Sequence, residues 1–279
     1  MKTSRLALFT LTAALLAAPA LAASANKVSF KDPSGDDNGP GNYKYPTDPV
    51  YKRGSFDLTD FSLEKKGDKL DVSLSFNTTL EDPWKTGSGF SVQTAFVFID
   101  TDGKEGSGST DSLPGLNVKF APQFAWDKVI VISPQGASRV KAEVGSKAGA
   151  VKDNVLVPDR VKGSGRKITA TVTAPGLTGE PSQWHYQVIV QSNEGFPAGN
   201  DLMTRKVNEY EGQHRFGGGN DGECDPHVLD ILAGAGKGDA SETKAQHEAL
   251  AYECAEDGTS KKMATLPMVG GEMAPAEKK

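Results

Sequence analysis

The sequence predicts an all-β fold, an antiparallel β-sandwich of jelly-roll-like type with one short C-terminal helix, and three observations predict it. Apolar and polar residues alternate in short runs, glycine and proline punctuate the gaps, and little before residue 238 repeats with a helical period.

In chain order, Phe56, Leu58, Phe61 and Leu63 outline the first candidate strand. Leu70-Asp71-Val72-Ser73-Leu74-Ser75-Phe76 alternates with period two, so one of its faces is buried. The turn Lys65-Lys66-Gly67-Asp68 joins the two into a hairpin. Ser91 to Ile99 is nearly continuous in β-forming residues, which places it centrally in its sheet. Val129 to Ile132, Val155 to Val157, Lys167 to Val172 and Trp184 to Gln191 supply further strands. The helix is expected from a Ser241 cap to about Cys254, with Glu242 in its first turn and Gly258 beyond its end.

Residues 1–22 have a positive start at Lys2 and Arg5, an apolar stretch from Leu6 to Leu16, and Ala20-Leu21-Ala22 before Ala23. That is the pattern of a secretory signal peptide, and the apolar run is too short for a membrane span. The remainder is expected to be exported, to the periplasm or the outside medium, as one domain over 23–269 with a disordered tail over 270–279. Cys224 and Cys254 are expected to pair in an oxidising compartment. Such a bridge restrains the unfolded chain by about 3 kcal/mol in the entropy model. A net charge of −5 with no basic stripe argues against nucleic acid as a partner.

The most unusual segment is Asp32-Pro33-Ser34-Gly35-Asp36-Asp37-Asn38-Gly39-Pro40-Gly41. Proline and glycine exclude it from a helix or a central strand, so three carboxylates and an amide share one loop. Like charges held this close favour a cation, and hard oxygen ligands select calcium. Asp36 and Asp37 are the leading ligands, supported by Asp32, Asn38 and Asp57, with backbone carbonyls and water completing a shell of about six to eight oxygens. The opposing reading is a solvated acidic turn. Asp100-Thr101-Asp102-Gly103-Lys104-Glu105 departs from an EF-hand loop, because glycine falls at the fourth position and lysine at the fifth. A looser second calcium site around Asp100 and Asp102 competes there with a plain Asp-Gly turn.

Sugar recognition uses aromatic faces flanked by polar groups, and Trp84, Trp126, Tyr43 and Tyr45 lie in turn-rich contexts suited to it. No Gly-x-Ser-x-Gly elbow, His-Glu-x-x-His helix or phosphate loop is present, so the chain is not expected to be an enzyme. Glycoside hydrolysis needs only two carboxylates from separate strands and is kept as an alternative.

The opening block, with Tyr43-Lys44-Tyr45-Pro46-Thr47-Asp48-Pro49-Val50 and Gly54-Ser55-Phe56-Asp57-Leu58, resembles the C-terminal module of glucodextranase, also found with pullulanases. Asp82-Pro83-Trp84, Gly89 to Thr94, Phe98-Ile99-Asp100, Leu113-Pro114-Gly115, Trp184-His185-Tyr186, Gly195-Phe196, Phe216 to Gly219 and Val228-Leu229-Asp230 extend the likeness. The resemblance implies a β-sandwich related to family 9 carbohydrate-binding modules and DOMON-like domains, which binds carbohydrate or associates with the cell envelope. With no catalytic domain expected in the chain, targeting of an enzyme in cis is not expected. The Cys224 and Cys254 pair is outside the family pattern. Some sandwich relatives hold haem through His and Met, so a periplasmic haem or redox module is the second alternative; the four histidines lack metal-ligand spacing.

Overall fold

The computed structural model describes residues 25–197 and 199–271, so the signal-peptide segment and residues 272–279 of the expected tail lie outside the described residues. The chain opens with β1 (Lys27–Lys31), β2 (Leu58–Lys66), β3 (Lys69–Phe76) and β4 (Gln93–Asp100). A short β5 (Lys119–Phe120) and β6 (Lys128–Ile132) precede α1 (Ala137–Lys147). Then come β7 (Val155–Leu156), β8 (Arg160–Ser164), β9 (Lys167–Thr173) and β10 (His185–Ser192). The C-terminal part carries β11 (Asp230–Ile231), α2 (Ala240–Ala249), β12 (Glu253–Cys254), β13 (Ser260–Lys262), β14 (Thr265–Leu266) and β15 (Val269–Gly270).

One sheet runs β1-β2-β3-β9-β8 and is antiparallel throughout. The other runs β11-β10-β4-β6-β7, with β15 also paired to β10 and only the β6–β7 contact parallel. Phe61, Leu63, Val72, Leu74 and Ile168 of the first sheet meet Val97, Ile99, Ile130, Val188 and Val190 of the second, and this is the sandwich core. The hairpin forms as its alternation requires, with Lys66 opposite Lys69 and Gly67 turning at φ +61°.

The second sheet is covered on its other face as well. Phe96, Phe98, Val129, Val131 and Ile189 point away from the sandwich core into a second cluster with Val140 and Val144 of α1, Leu113, Phe120 and Trp126. All eight positions of β4 are therefore buried, the physical reason for its unbroken apolar run. Strand β9 instead alternates buried and exposed, because its outer face meets water.

Helix α1 adds to the single helix expected. Its N-cap is Gly136, which has no side chain to cap with, and only Val140 and Val144 are buried, so its sequence carries little signal. Helix α2 occupies the expected region but is capped two residues earlier, at Asp239 rather than Ser241. The Asp239 carboxylate accepts from Ser241 N at 3.0 Å and the Glu242 side chain accepts from Asp239 N at 3.3 Å, a capping box that starts the helix at Ala240. Cys254, expected near the helix end, lies in β12 and is disulfide-bonded to Cys224. Gly270, expected in the tail, pairs with His185.

Candidate functional site

The acidic loop leaves β1 directly and is fastened on three sides. Asp32 N donates to Thr59 O at 3.0 Å, Gly39 N donates to Leu229 O at 2.8 Å, and the Gln246 amide of α2 donates to Asp36 O. Gly39 has φ +60°, and a Cβ there would fall 2.9 Å from Val228 O and inside contact distance of the Tyr43 ring, so only glycine permits this seat.

Seated this way, the loop brings Asp32 and Asp36 against Asp230, the first residue of β11. One carboxylate oxygen from each lies within 4.8 Å of the other two, and all three residues are buried. Asp230 accepts from Leu58 N at 2.7 Å and from Ile231 N at 2.9 Å, while Thr243 Oγ1 donates to Asp36 Oδ2 at 3.0 Å. Asp32 Oδ2 and Asp36 Oδ1 have no hydrogen-bond partner. Buried oxygens normally find donors, so two unpaired ones among three carboxylates can be satisfied by protons shared within the group or by a bound cation.

Electrostatics point the same way. Burial first, then Asp36, pushes Asp32 up to about 9, and burial together with Asp32 and Asp36 drives Asp230 well above the carboxylate range. Asp36 and Asp37 are also raised by burial. Asp57 is pushed up to about 7 by burial, although Asn77 and Gly35 N donate to its Oδ2 at 3.0 and 2.7 Å. An oxygen-only, anionic, desolvated set of this kind fits a hard divalent cation, which would restore ionisation to all three carboxylates.

Of the residues singled out in the sequence, Asp32 and Asp36 reach this centre. Asp37 and Asp57 border it, and Asp37 accepts the Tyr45 hydroxyl. Asn38 Oδ1 lies 3.3 Å from His247 Nε2 of α2. Asp230 was missed, and its signal was a lone carboxylate inside the apolar run Val228-Leu229-Asp230-Ile231-Leu232.

The aromatic candidates separate sharply. Trp126 is fully buried in the second core, its Nε1 donating to Asp111 O at 2.8 Å, and Tyr43 is buried with its hydroxyl on Pro226 O at 2.7 Å. Tyr45 is half-buried, packed edge-on to Phe56 and tied to Asp37. Those three rings serve the interior, so none offers a free face. Trp84 is 40% exposed and stands at a cleft of about 610 Å³ that is also lined by Gln135, Arg139, Glu194, Phe196 and Arg205.

The Trp84 loop is tied together by hydrogen bonds to Asp82. Asp82 accepts from Thr86 N at 2.8 Å, from Gly87 N at 2.9 Å and from the Ser91 hydroxyl. Burial alone would raise its carboxyl, but these bonds outweigh it and bring Asp82 down to about 2. Arg205 pairs with Glu194 at 3.0 Å and sits 5.9 Å from the Tyr51 ring, which itself packs edge-on to Trp84.

A family model described as the C-terminal binding module, SLH-like, of glucodextranase matches residues 28–269. The chain belongs to that family. Glucodextranase C-terminal modules are binding modules rather than catalytic domains, and the match spans both sheets, the acidic loop and the Trp84 cleft. No curated protein matches the chain significantly. Among the described residues, no helix of this glucodextranase-type module is long and apolar enough to cross a membrane.

Proposed function

We propose that this chain is an exported, non-catalytic module that binds a polysaccharide or cell-envelope glycan through the Trp84 cleft, on a scaffold stabilised by calcium at Asp32, Asp36 and Asp230. The observation that carries the reading is the Trp84 indole, 40% exposed and lining one cleft with Gln135, Arg139, Glu194 and Arg205. An indole face complements the apolar face of a sugar ring, and the surrounding side chains supply donors and acceptors for its hydroxyls. The outer face of the first sheet offers no such platform: its shallow groove is lined by Lys69, Arg160, Lys162, Thr169 and Thr171 without an aromatic ring. The family description as a binding module supports the same role.

Calcium would act structurally here. It would join the loop, β11 and the N-terminal half of the sandwich by coordinating carboxylates that otherwise repel one another. Export is supported by the N-terminal sequence pattern and by the Cys224–Cys254 bond, which suits an oxidising compartment.

The test is retention on α-glucans and on purified envelope material, compared between the unmodified chain and Trp84→Ala. The expected outcome is retention of the former and a loss of at least about tenfold in affinity for the variant, about 1.4 kcal/mol, with an unchanged Tm. Equal retention of both would move the site elsewhere. Failure on every polysaccharide class would overturn glycan binding.

A further inference from the structure

The Trp84 cleft continues into a second hollow of about 260 Å³. Glu194, Phe196, Arg205 and His214 line both, so the two form one groove, which also takes in Asp201, Lys206 and Arg215. Its Lys and Arg side chains are Arg139, Arg205, Lys206 and Arg215, against the carboxylates of Glu194 and Asp201, in a chain whose net charge is −5.

Exposed arginines are ordinary, so the pairing inside the groove decides what these charges mean. Glu194 is already neutralised: its Oε2 lies 3.0 Å from Arg205 Nη2, and its Oε1 accepts from Phe196 N at 2.9 Å. Arg205 is engaged by that pair and by His214 O, to which Nη1 donates at 2.6 Å. Lys206 pairs with Glu223. Asp201 has a buried Oδ2 without a hydrogen-bond partner, and burial raises its carboxyl, which discourages ionisation. Arg139 and Arg215 are different. Arg139 donates to Gln135 Oε1 at 3.1 Å and to Gly195 O, and Arg215 Nε donates to Tyr210 O at 2.9 Å. Neutral acceptors position both guanidiniums, and among the described residues no carboxylate pairs with either.

The exposed large hydrophobic side chains gather at the same place. Among the described residues they are Trp84, Phe196 at 93% and Tyr210 at 65%. Trp84 and Phe196 line the groove, and Tyr210 supplies the carbonyl that holds Arg215. Ring faces complement the apolar faces of sugars, and guanidinium forks complement carboxylates, so a ligand matched to both is a sugar that carries a negative charge.

We propose that the ligand of this groove is an acidic polysaccharide of the uronate class, its ring carboxylates held by Arg139 and Arg215 while its sugar faces rest on Trp84 and Phe196. This inference rests on the reading of the Trp84 cleft as a glycan site and names the class of glycan. A neutral glucan leaves both guanidiniums unmatched, whereas a uronate presents the planar pair of oxygens that a guanidinium binds through two parallel hydrogen bonds.

The experiment measures binding to the full chain at fixed calcium, by titration calorimetry, for oligogalacturonate, for its methyl ester, which keeps the sugar and removes the charge, and for an uncharged α-glucan oligosaccharide. The expected result is binding of the acid at least about tenfold tighter than of the other two, weakening as salt is added. Arg139→Gln and Arg215→Gln should each cost the acid about tenfold and leave the α-glucan unchanged. Arg160→Gln, in the basic groove on the outer face of the first sheet, should change neither. All three replace exposed side chains, so Tm should stay constant. Affinity for the methyl ester or the α-glucan equal to or above that for the acid, or an acid affinity unchanged in both Arg139→Gln and Arg215→Gln, overturns the acidic assignment while the glycan reading stands. Absence of binding to every glycan, acidic or neutral, overturns both.

Discussion

The two acidic clusters of this module contain three mutually close carboxylates each, yet their surroundings differ completely. Around Asp32, Asp36 and Asp230, burial is complete and the strongest electrostatic neighbours of Asp32 and Asp230 are further carboxylates. Around Asp100, burial raises the carboxyl, but the His185 ring and the Gly103 and Asp102 amides outweigh it and hold Asp100 below its ordinary value. Asp102 is exposed and Asp127 half-buried. The lesson is that depth and the supply of backbone donors, not the number of carboxylates, decide how strongly such a cluster resists ionisation.

The strongest challenge to that contrast is chelation of calcium-loaded protein. At a thousandfold excess over Kd, a native-state ligand adds about 4 kcal/mol, so its removal should lower Tm by about 8–16 °C. Thermal melts with and without chelator measure this. An unchanged Tm would place both clusters in the same class.

The pH response should then reverse between the two states. In metal-free protein, Asp57 at about 7 and Asp32 at about 9 sit above their unfolded value of 3.8. Groups raised in this way contribute stability that is fully present below 3.8 and is lost as pH rises through about 7 and then about 9. Chelated protein should therefore melt at steadily lower temperature across that window. Calcium-loaded protein should behave oppositely, losing stability on acidification as protons displace the ion. Melts at a series of pH values separate the two.

A smaller effect is expected at Gln246, which belongs to the buried cluster alone. Its amide donates to Asp36 O and its carbonyl oxygen accepts from Ile231 N at 2.9 Å, so Gln246→Ala removes two buried hydrogen bonds, while Ile231 N keeps Asp230 and Asp36 O keeps Asn38 N. A loss of about 1–3 kcal/mol is expected in chemical denaturation, with a weaker calcium response as the loop loosens.

The mildest comparison pairs Asp36→Asn with Asp102→Asn. The first removes a buried like charge, so it should raise Tm in chelator while abolishing most of the gain on adding calcium. The second, on an exposed turn, should change calcium-free stability by less than about 0.5 kcal/mol. Equal responses of the two variants would erase the distinction.

Much of this architecture is legible locally. The alternation of Leu70 to Phe76 marks a half-buried strand, the continuous run of β4 marks one covered on both sides, and two cysteines leave a single intrachain pairing. Helix α1 escaped because Gly136 contributes no capping side chain and only Val140 and Val144 meet the core. At the site, the Asp32 to Gly41 loop announced itself by composition. Asp230 did not, because its role depends on β11 lying beside that loop. The four aromatic candidates share similar turn-rich contexts, and nothing local distinguishes Trp84 from Trp126.

By itself, then, the amino-acid sequence determined where the strands run, which residues turn the chain, and that an acidic loop follows the first strand. Those properties reside in residue spacing and backbone preference over a few neighbouring positions. The tertiary structure alone decided that Asp230 joins Asp32 and Asp36, that His185 faces Asp100, and that Trp84 stays at the surface while Trp126 is sealed in the second core. Charge proximity and solvent access depend on which segments pack together across long separations, and that packing is a property of the whole sandwich.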